Sequence, residues 1–476
     1  MNPAERSVAI IGGGFTGAAC AVHMARAATA PLTIEIVEPR ERVGGGVAYG
    51  SAAREHRINV PSDRMSVFSE SPRHFSEWLD RNGFRDADPE GWTPAGYFYS
   101  RRQVFGDYMA DLVERTHRSN PSGSTVRQIH GRVEAIDRID NGFSVTFDPP
   151  QPPRTYAAAV ISATHAAPSF KWPLRNGAAA ARHLCLDPWR EEALSAIPDR
   201  ARVLILGTGL TMADVVVTLR DRGHVGKILA VSRRGLLPRT HGEFDNSLDF
   251  LGGAGLPKTA LEVLSLTRRK IGEAEAAGLT WRAALDSLRR ALPEVWPNLP
   301  ASERKKALRF LRAFWDVHRY RMSPQVAGLI ERGVAAGWFT VSAGRVGAIG
   351  CDGDRLEVSW IPHGAAMRVE AFDAVVNCTG PDSDLSRSDN PFFRSLLDRG
   401  LAKADPFGLG LAVDGEARVI PAKGAADPLL RVAGPLARGH FGEVMGLPEV
   451  SAHARLVAET LVRTLESAAA GGSVVT

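Results

Sequence analysis

The chain has few cysteines and no long apolar run. Its 476 residues include four cysteines, none spaced as a C-x-x-C pair: Cys20, Cys185, Cys351 and Cys378. This scarcity excludes a disulfide framework and the usual cysteine-rich zinc patterns, and it favours a reducing compartment. No apolar run approaches the roughly 18 residues of a membrane helix. The first predicted strand begins at Ser7, which leaves no room for a signal peptide, so we expect a cytoplasmic protein without a membrane partner.

Several catalytic motifs are also missing. The sequence contains no G-x-S-x-G, Walker A or H-E-x-x-H motif, so it does not indicate an α/β-hydrolase, a P-loop enzyme or a zinc protease, and we expect no metal. Its net charge of +5 and pI near 9.1 are mildly basic. The basic residues form no stripe beside a recognition motif, which argues against a nucleic-acid partner. An anionic substrate or NADPH fits this charge at least as well.

The most informative positive feature is a pair of glycine fingerprints. The first has Gly12, Gly14 and Gly17 after an apolar, strand-like run, and the second has Gly207 and Gly209 in the same context, with Met212 at its third position. Such a turn lets the backbone approach a pyrophosphate closely at a helix N-terminus. Each turn serves one dinucleotide. Two turns therefore predict a flavin and a nicotinamide cofactor in one chain, with electron transfer between them.

The residues that follow each fingerprint predict which dinucleotide it takes. Glu38 ends the second predicted strand, 21 positions after Gly17, where a carboxylate hydrogen-bonds ribose hydroxyls and would repel a 2′-phosphate. The first site therefore favours FAD or NAD; a solvated Glu at a strand end is the alternative. The second site has Arg233 and Arg234 at the corresponding point, and guanidinium groups bind phosphate in bidentate fashion. It therefore favours NADPH, unless these are two exposed loop charges.

These patterns predict an α/β fold with two Rossmann-like dinucleotide-binding domains, for FAD and NADPH, and a helical insertion. We expect residues 1–170 and 375–476 to form a discontinuous FAD-binding domain, and 200–374 to form the NADPH-binding domain with an insertion at about 243–336. Similar hairpin-and-strand segments follow the two fingerprints, at 131–164 and 344–380. Both begin with G-R-V-x-A, although similar composition could also arise by chance. Within the insertion, helical periodicity covers 258–292, 301–320 and 323–336, with proline breaks near 293–300.

The ordered motifs GGGFTGAACAVHM, EHRINVPSDRMSVF, GTGLTMADVVVTL, WDVHRYRM and AGPLARGHFGEVMGLP extend over most of the chain. In these it resembles the bacterial FAD/NAD(P)-binding protein family, which is related to NADPH-dependent flavin monooxygenases. Some relatives N-oxidise small amino acids, aspartate among them. The resemblance implies FAD, NADPH and dioxygen, and leaves the substrate open.

The resemblance and the two turns together give a set of expected site residues. For FAD these are Gly12, Gly14, Phe15, Thr16, Gly17, Glu38, His56, Asn59, Val60, Met65, Gly380, Gly434 and Pro435. For NADPH they are Gly207, Thr208, Gly209, Leu210, Thr211, Arg233 and Arg234. No catalytic side chain is assigned, since oxygen transfer from a flavin requires none.

We therefore expect an FAD-dependent, NADPH-using oxidoreductase. The favoured activity is a monooxygenase that acts through a flavin hydroperoxide on a small amine or amino acid. The alternatives are a flavin dehydrogenase or reductase without oxygen insertion, and a non-catalytic flavin- and NADP-binding sensor. Arg102, His318 and Arg319 are candidate substrate contacts, with Arg319 as a carboxylate clamp. The alternative for Arg319 is an ion pair that holds the insertion onto the flavin domain.

Overall fold

The computed structural model describes residues 6–50, 53–163, 170–177, 182–242 and 247–471. In these residues the strands are β1 (Ser7–Ile11), β2 (Thr33–Glu38), β3 (Thr125–His130), β4 (Arg132–Ile139), β5 (Gly142–Asp148), β6 (Arg154–Tyr156), β7 (Ala158–Ile161), β8 (Leu184–Cys185), β9 (Val203–Leu206), β10 (Ile228–Ser232), β11 (Phe339–Asp352), β12 (Arg355–Pro362), β13 (Arg368–Phe372), β14 (Ala374–Asn377) and β15 (Leu430–Val432). The helices are α1 (Phe15–Ala27), α2 (Gly46–Tyr49), α3 (His74–Arg81), α4 (Arg102–Arg118), α5 (Glu191–Ser195), α6 (Leu210–Asp221), α7 (Ala260–Ala276), α8 (Trp281–Asn298), α9 (Ala301–Phe310), α10 (Arg312–Arg319), α11 (Pro324–Ala335), α12 (Pro391–Asp398), α13 (Arg438–Phe441) and α14 (Leu447–Gly471).

The first sheet is parallel and has the order β15-β7-β1-β2-β3. Its central strand β1 has every residue buried, because the apolar run Ser7–Ile11 is covered on both faces. Helix α1 leaves the end of β1 at the first glycine turn and packs against α14, which comes from the far end of the sequence. This arrangement confirms the predicted Rossmann-like unit and places its glycine turn at the carboxyl edge of the sheet.

The second sheet has the order β13-β12-β11-β10-β9-β14-β8. Strands β11, β10, β9, β14 and β8 pair in parallel, and β12 and β13 extend the sheet in antiparallel fashion. Helix α6 leaves β9 at the second glycine turn. The predicted α/β class with two dinucleotide-binding units is therefore confirmed.

The repeated hairpins noted in the sequence are repeated structures. The β4–β5 hairpin has a register shift between Val133 and Ala135, and the β11–β12 hairpin has one between Val346 and Ala348. These positions are equivalent in the two G-R-V-x-A segments, so both copies bulge at the residue marked x. Thr164, which closes the first segment, lies outside the described residues.

The helical insertion lies between two adjacent strands of the second sheet, since β10 and β11 pair directly and α7 to α11 come between them. Three details differ from the sequence prediction. The stretch over 301–320 is two helices, α9 and α10. The helix expected over 258–292 is two helices, because the chain turns at Gly278 with φ of +76°. The helix was also expected to break near Pro293, but α8 continues through Pro293 and Pro297. Val295 and Trp296 of this part of the helix pack in the interior.

Strand β14 lies at one of the expected domain boundaries. The sequence division put residues 375–476 in the FAD-binding domain, but β14 pairs with β9 over four residues and so lies in the second sheet. The apolar stretch before Asn377 is fully buried there. We therefore propose that the boundary follows Asn377; the other limits stay predictions. No helix in the described ranges is both long and apolar enough to cross a bilayer.

Candidate active site

One cavity of about 970 Å³ connects the two glycine turns. It runs from the carboxyl edge of the first sheet, past the N-terminus of α6, to the helices of the insertion. Twelve of the predicted cofactor residues line it: Gly12, Gly14, Phe15, Thr16, Glu38, Asn59, Val60, Met65, Gly209, Leu210, Thr211 and Pro435. Residues predicted from two separate fingerprints therefore face the same space.

The first glycine turn leaves room for a ligand at one particular position. Gly12 has φ of +102°, and a Cβ there would lie 2.9 Å from the backbone of Ala163, so only glycine fits. A Cβ at Gly17 would lie 2.0 Å from the Gly12 carbonyl oxygen. At Gly14, by contrast, the nearest atom to a Cβ would be Gly46 Cα at 3.5 Å. The first and third glycines thus serve the packing of the protein, and the second serves a close approach from the cavity.

Glu38 lies where a ribose-binding carboxylate is expected. Its side chain is 4% exposed; Oε2 accepts a hydrogen bond from the Gly13 N–H at 2.9 Å, and Oε1 accepts bonds from the N–H and guanidinium of Arg40. A carboxylate has about four acceptor positions, so capacity remains for ribose hydroxyls on the cavity side. The same bonds join the end of β2 to the glycine turn, which holds the turn in place.

The second turn repeats the geometry of the first. Gly207 has φ of +111°, and a Cβ there would lie 2.4 Å from the Cys378 carbonyl oxygen. At Gly209 a Cβ would meet no described atom within 4 Å. Thr208 Oγ1 lies 2.9 Å from Ser232 Oγ and 2.6 Å from the Leu236 carbonyl oxygen, which ties this turn to the loop after β10. The second turn therefore has the same open position for a dinucleotide as the first.

Other predicted cofactor residues lie behind the cavity wall or outside it: Gly17, His56, Gly207, Thr208, Gly380 and Gly434. Gly434 supports the wall, since its N–H donates to His453 Nδ1 at 3.0 Å and its neighbour Pro435 lines the cavity. Burial lowers the pKa of His453 to about 4, so the ring is neutral and can accept this bond. Arg233 and Arg234 are exposed at the end of β10, away from the main cavity.

A buried polar contact joins α4 to α6. Arg102 Nη1 lies 2.7 Å from Asp214 Oδ2, and the two side chains are 8% and 9% exposed. His56 Nε2 lies 2.9 Å from Thr218 Oγ1 and 3.2 Å from the Asp214 carbonyl oxygen. His56 was expected to contact FAD and Arg102 to contact the substrate. Arg102 and Asp214 do line the cavity, but Nε and Nη1 of Arg102 donate to protein atoms, the Arg57 carbonyl oxygen and the Asp214 carboxylate.

Arg319 also binds protein carboxylates. Its Nη2 lies 2.8 Å from Glu449 Oε2 and 3.3 Å from Glu443 Oε1. Arg319 belongs to the insertion, and both glutamates lie in the C-terminal segment that packs on the first sheet's helices. Glu449 also pairs with Arg289 of α8. These contacts match the ion-pair alternative for Arg319, which also lines the cavity. His318 lies outside the cavity lining, with its Nδ1 at 2.7 Å from the Phe314 carbonyl oxygen.

Arg319→Ala is expected to destabilise the protein and to leave substrate dependence unchanged. The substitution would leave Glu443, 1% exposed, without its cationic partner. An unsatisfied buried polar group costs about 1–3 kcal/mol. Thermal denaturation should show the loss, with Arg312→Ala, which removes a half-exposed pair with Asp316, as the control. Unchanged stability together with uncoupled NADPH oxidation would instead support the substrate clamp.

The cavity has a polar end that the sequence did not reveal. Arg64, His241, Asp286, Arg289 and Arg321 line it. Arg321 and Asp286 form a bidentate pair at 3.0 and 3.3 Å, both nearly buried. Desolvation lowers the pKa of Arg289 to about 10, and burial lowers that of His241 to about 3. The i, i+3 spacing of Asp286 and Arg289 is a signal that could have been noticed, but nothing in the sequence places Arg64 beside them.

The first third of the chain matches a known family. Residues 9–166 match the family described as FAD-NAD(P)-binding. The prediction of FAD and a nicotinamide dinucleotide as cofactors is confirmed at this level. No curated protein matches the chain by sequence.

Solved structures show the same fold over nearly the whole chain. The L-lysine 6-monooxygenase of Pseudomonas syringae has a TM-score of 0.63 at 20% identity, covering 97% of this chain and 99% of that one. The ornithine N-hydroxylase of Kutzneria sp. 744, solved with reduced FAD, NADP+ and L-orn, has a TM-score of 0.62 at 15% identity, covering 98% and 99%. T. acidophilum thioredoxin reductase has a TM-score of 0.51 at 12% identity, covering 96% and 99%. The chain thus has the fold of FAD- and NADP-binding oxidoreductases.

Proposed function

We propose that this protein is an FAD-dependent, NADPH-using monooxygenase that N-oxidises a small amine or amino acid. The observation that carries the proposal is the single cavity lined by both glycine turns, with a polar, arginine-rich end. FAD on the first turn and NADPH on the second would converge in it. The flavin monooxygenases of lysine and ornithine, which share the fold, act on substrates of this class.

The residues present fit the two cofactors. Gly14 and Gly209 leave space where a pyrophosphate would approach, each at the N-terminus of a helix of twelve or thirteen residues. Glu38 accepts hydrogen bonds at the ribose position. Bound FAD would supply hydride acceptance and oxygen activation. The protein would orient the cofactors and exclude water from the space between them. The buried α4–α6 contact and the helices of the insertion, which line this space, would serve that purpose.

The polar end of the cavity fits a substrate with both an amino and a carboxylate group. Asp286 is acidic, and Arg64 and Arg289 are cationic. Asp286 also pairs with Arg321, and Arg289 with Glu449, so a substrate would join an existing network of charges. Neutral His241, with its lowered pKa, could accept a proton only at low pH. Charged hydrogen bonds in a desolvated site are strong enough to orient a small molecule.

A flavin reductase of the thioredoxin reductase kind is less well supported. That chemistry needs a cysteine pair that cycles between thiols and a disulfide. All four cysteines lie in the described residues and are free, and burial raises the pKa of the Cys20, Cys185 and Cys378 thiols. Such thiols are poor nucleophiles.

The test is NADPH-dependent oxygen uptake by the purified flavoprotein against a panel of amines and amino acids. The proposal expects one substrate class to stimulate uptake and labelled dioxygen to enter the product. NADPH oxidation without label in any product would favour the reductase. An absence of NADPH oxidation under all conditions would favour the sensor.

Arg233→Ala combined with Arg234→Ala is expected to weaken NADPH binding and to leave NADH little changed. Hydrogen bonds to a charged group contribute about 1.5–3 kcal/mol, so the loss should be roughly tenfold to hundredfold. Anaerobic flavin reduction by each coenzyme measures the effect, with Arg355→Ala, an exposed arginine on the β12 hairpin, as the control. Equal losses for both coenzymes would show that these arginines do not read the 2′-phosphate.

A further inference from the structure

The insertion is bound directly to the loop that follows β10. Backbone hydrogen bonds run from Arg239 N to the Val317 carbonyl oxygen (2.8 Å) and from Met322 N to the Arg239 carbonyl oxygen (2.9 Å). Arg282 of α8 also donates to the Thr240 carbonyl oxygen at 2.8 Å. These bonds therefore fix the position of helix α10 relative to the loop that carries Arg233 and Arg234. Side chains on α10 can reach the proposed 2′-phosphate region at fixed positions.

One such side chain contacts Arg234. Phe314, on α10, is 47% exposed, and its ring centroid lies 4.7 Å from Arg234 Cζ. The residues are 80 positions apart in sequence, so the contact depends on the docking of the insertion. The Phe314 ring would otherwise present apolar surface to water, but the Arg234 guanidinium covers one of its faces. Phe310, the last residue of α9 and 53% exposed, has its ring centroid 5.2 Å from Arg309 Cζ instead.

We propose that Phe314 is a positioning residue for coenzyme selectivity: it holds the Arg234 guanidinium over its ring, ready for the 2′-phosphate of NADPH. This inference rests on the proposed NADPH site. A guanidinium keeps its five N–H donors in its own plane. Stacking of its face on the ring would leave the donors at its edge available for phosphate oxygens.

The contact would act by lowering the conformational entropy that the Arg234 side chain loses when phosphate binds. An exposed arginine samples many rotamers, and immobilising such a side chain on binding is costly. A ring that already restrains the guanidinium removes part of that cost, and NADH, which has no 2′-phosphate, gains nothing from it. Loss of the ring should weaken NADPH binding roughly two- to fivefold, the range expected from an exposed cation–π contact.

The experiment compares three variants of the flavin-loaded protein: Phe314→Leu, Phe314→Tyr and Phe310→Leu. The first removes the ring, the second keeps it, and the third removes the neighbouring exposed ring that contacts a different arginine. Anaerobic flavin reduction gives the apparent Kd for NADPH and for NADH, and 2′,5′-ADP serves as a competitor that carries only the phosphorylated adenosine half. Flavin content and thermal stability should match the unaltered protein, because both phenylalanines are exposed.

The expected result is a two- to fivefold weaker Kd for NADPH and 2′,5′-ADP in Phe314→Leu, with NADH unchanged, and values near the unaltered protein for Phe314→Tyr and Phe310→Leu. Equal weakening of NADPH and NADH, or the same effect from Phe310→Leu, overturns the inference. The inference is also overturned if Phe314→Leu binds NADPH normally while the Arg233→Ala, Arg234→Ala variant loses its preference for NADPH over NADH. If the double arginine variant also keeps its preference, the proposed NADPH site is itself wrong.

Discussion

Gly14→Val is expected to give folded, colourless protein. Gly14 has φ of −67°, which any residue adopts, and a Cβ there would touch only Gly46 Cα, at 3.5 Å. The protein can therefore accommodate the side chain, but a bound pyrophosphate would have to move away from the N-terminus of α1. Each charged hydrogen bond lost contributes about 1.5–3 kcal/mol, so losing two weakens FAD binding at least roughly a hundredfold. Visible absorbance and titration of the apoprotein with FAD measure this.

Valine substitutions at two further glycines serve as controls for Gly14→Val. Gly272→Val, on the exposed side of α7 with no described atom within 4 Å of its Cβ, should purify fully yellow. Gly17→Val should fail to fold normally, because its Cβ would lie 2.0 Å from a carbonyl oxygen. Near-normal FAD affinity in the valine variant at position 14 would contradict the assignment of the first site.

Asp214→Ala is expected to lower the free energy of unfolding by about 3–5 kcal/mol. The substitution would leave the Arg102 guanidinium, 8% exposed, without its carboxylate, and breaking one side of a buried ion pair has a cost of this order. Thermal and urea denaturation should show an earlier transition.

The matched control is Glu114→Ala on the same helix as Arg102. It removes an exposed pair with Arg118, whose side chains are 52% and 72% exposed, and should have little effect. A double variant, Arg102→Met with Asp214→Leu, should recover much of the lost stability, since well-packed apolar residues often replace a buried pair at little cost. If Asp214→Ala lowers the free energy of unfolding no more than Glu114→Ala does, the Arg102–Asp214 pair does not stabilise the contact between α4 and α6.

What the sequence revealed was local. Gly12, Gly14, Gly17 and Glu38 act within one strand–turn–helix–strand unit, so their spacing alone predicted a dinucleotide site. The bulged hairpins were likewise visible as a repeated G-R-V-x-A segment, because a hairpin is set by neighbouring residues. The relevant geometry in these cases spans a few tens of residues.

The features that sequence analysis missed depend on distant partners. Asp214 looks like a lone acid in an apolar helix until Arg102, 112 positions earlier, is seen beside it. For Arg319 the sequence left a substrate clamp and an ion pair both open, because Glu449, 130 positions later, could not be placed. Pro293 predicted a helix end, yet the buried residues that follow it keep α8 continuous. In each case tertiary packing decided the outcome.

The way α14 packs on α1 has a consequence for dissecting the protein. The family match ends at residue 166, but the sheet it contains takes its edge strand, β15, from residues 430–432. Ala454, Val457, Ala458 and Leu461 of α14 are completely buried in the same core as α1. A fragment ending near residue 170 would expose that apolar face and an unpaired strand edge, both of which promote aggregation. The stretch that is recognisable as a domain by sequence is therefore not an autonomous folding unit.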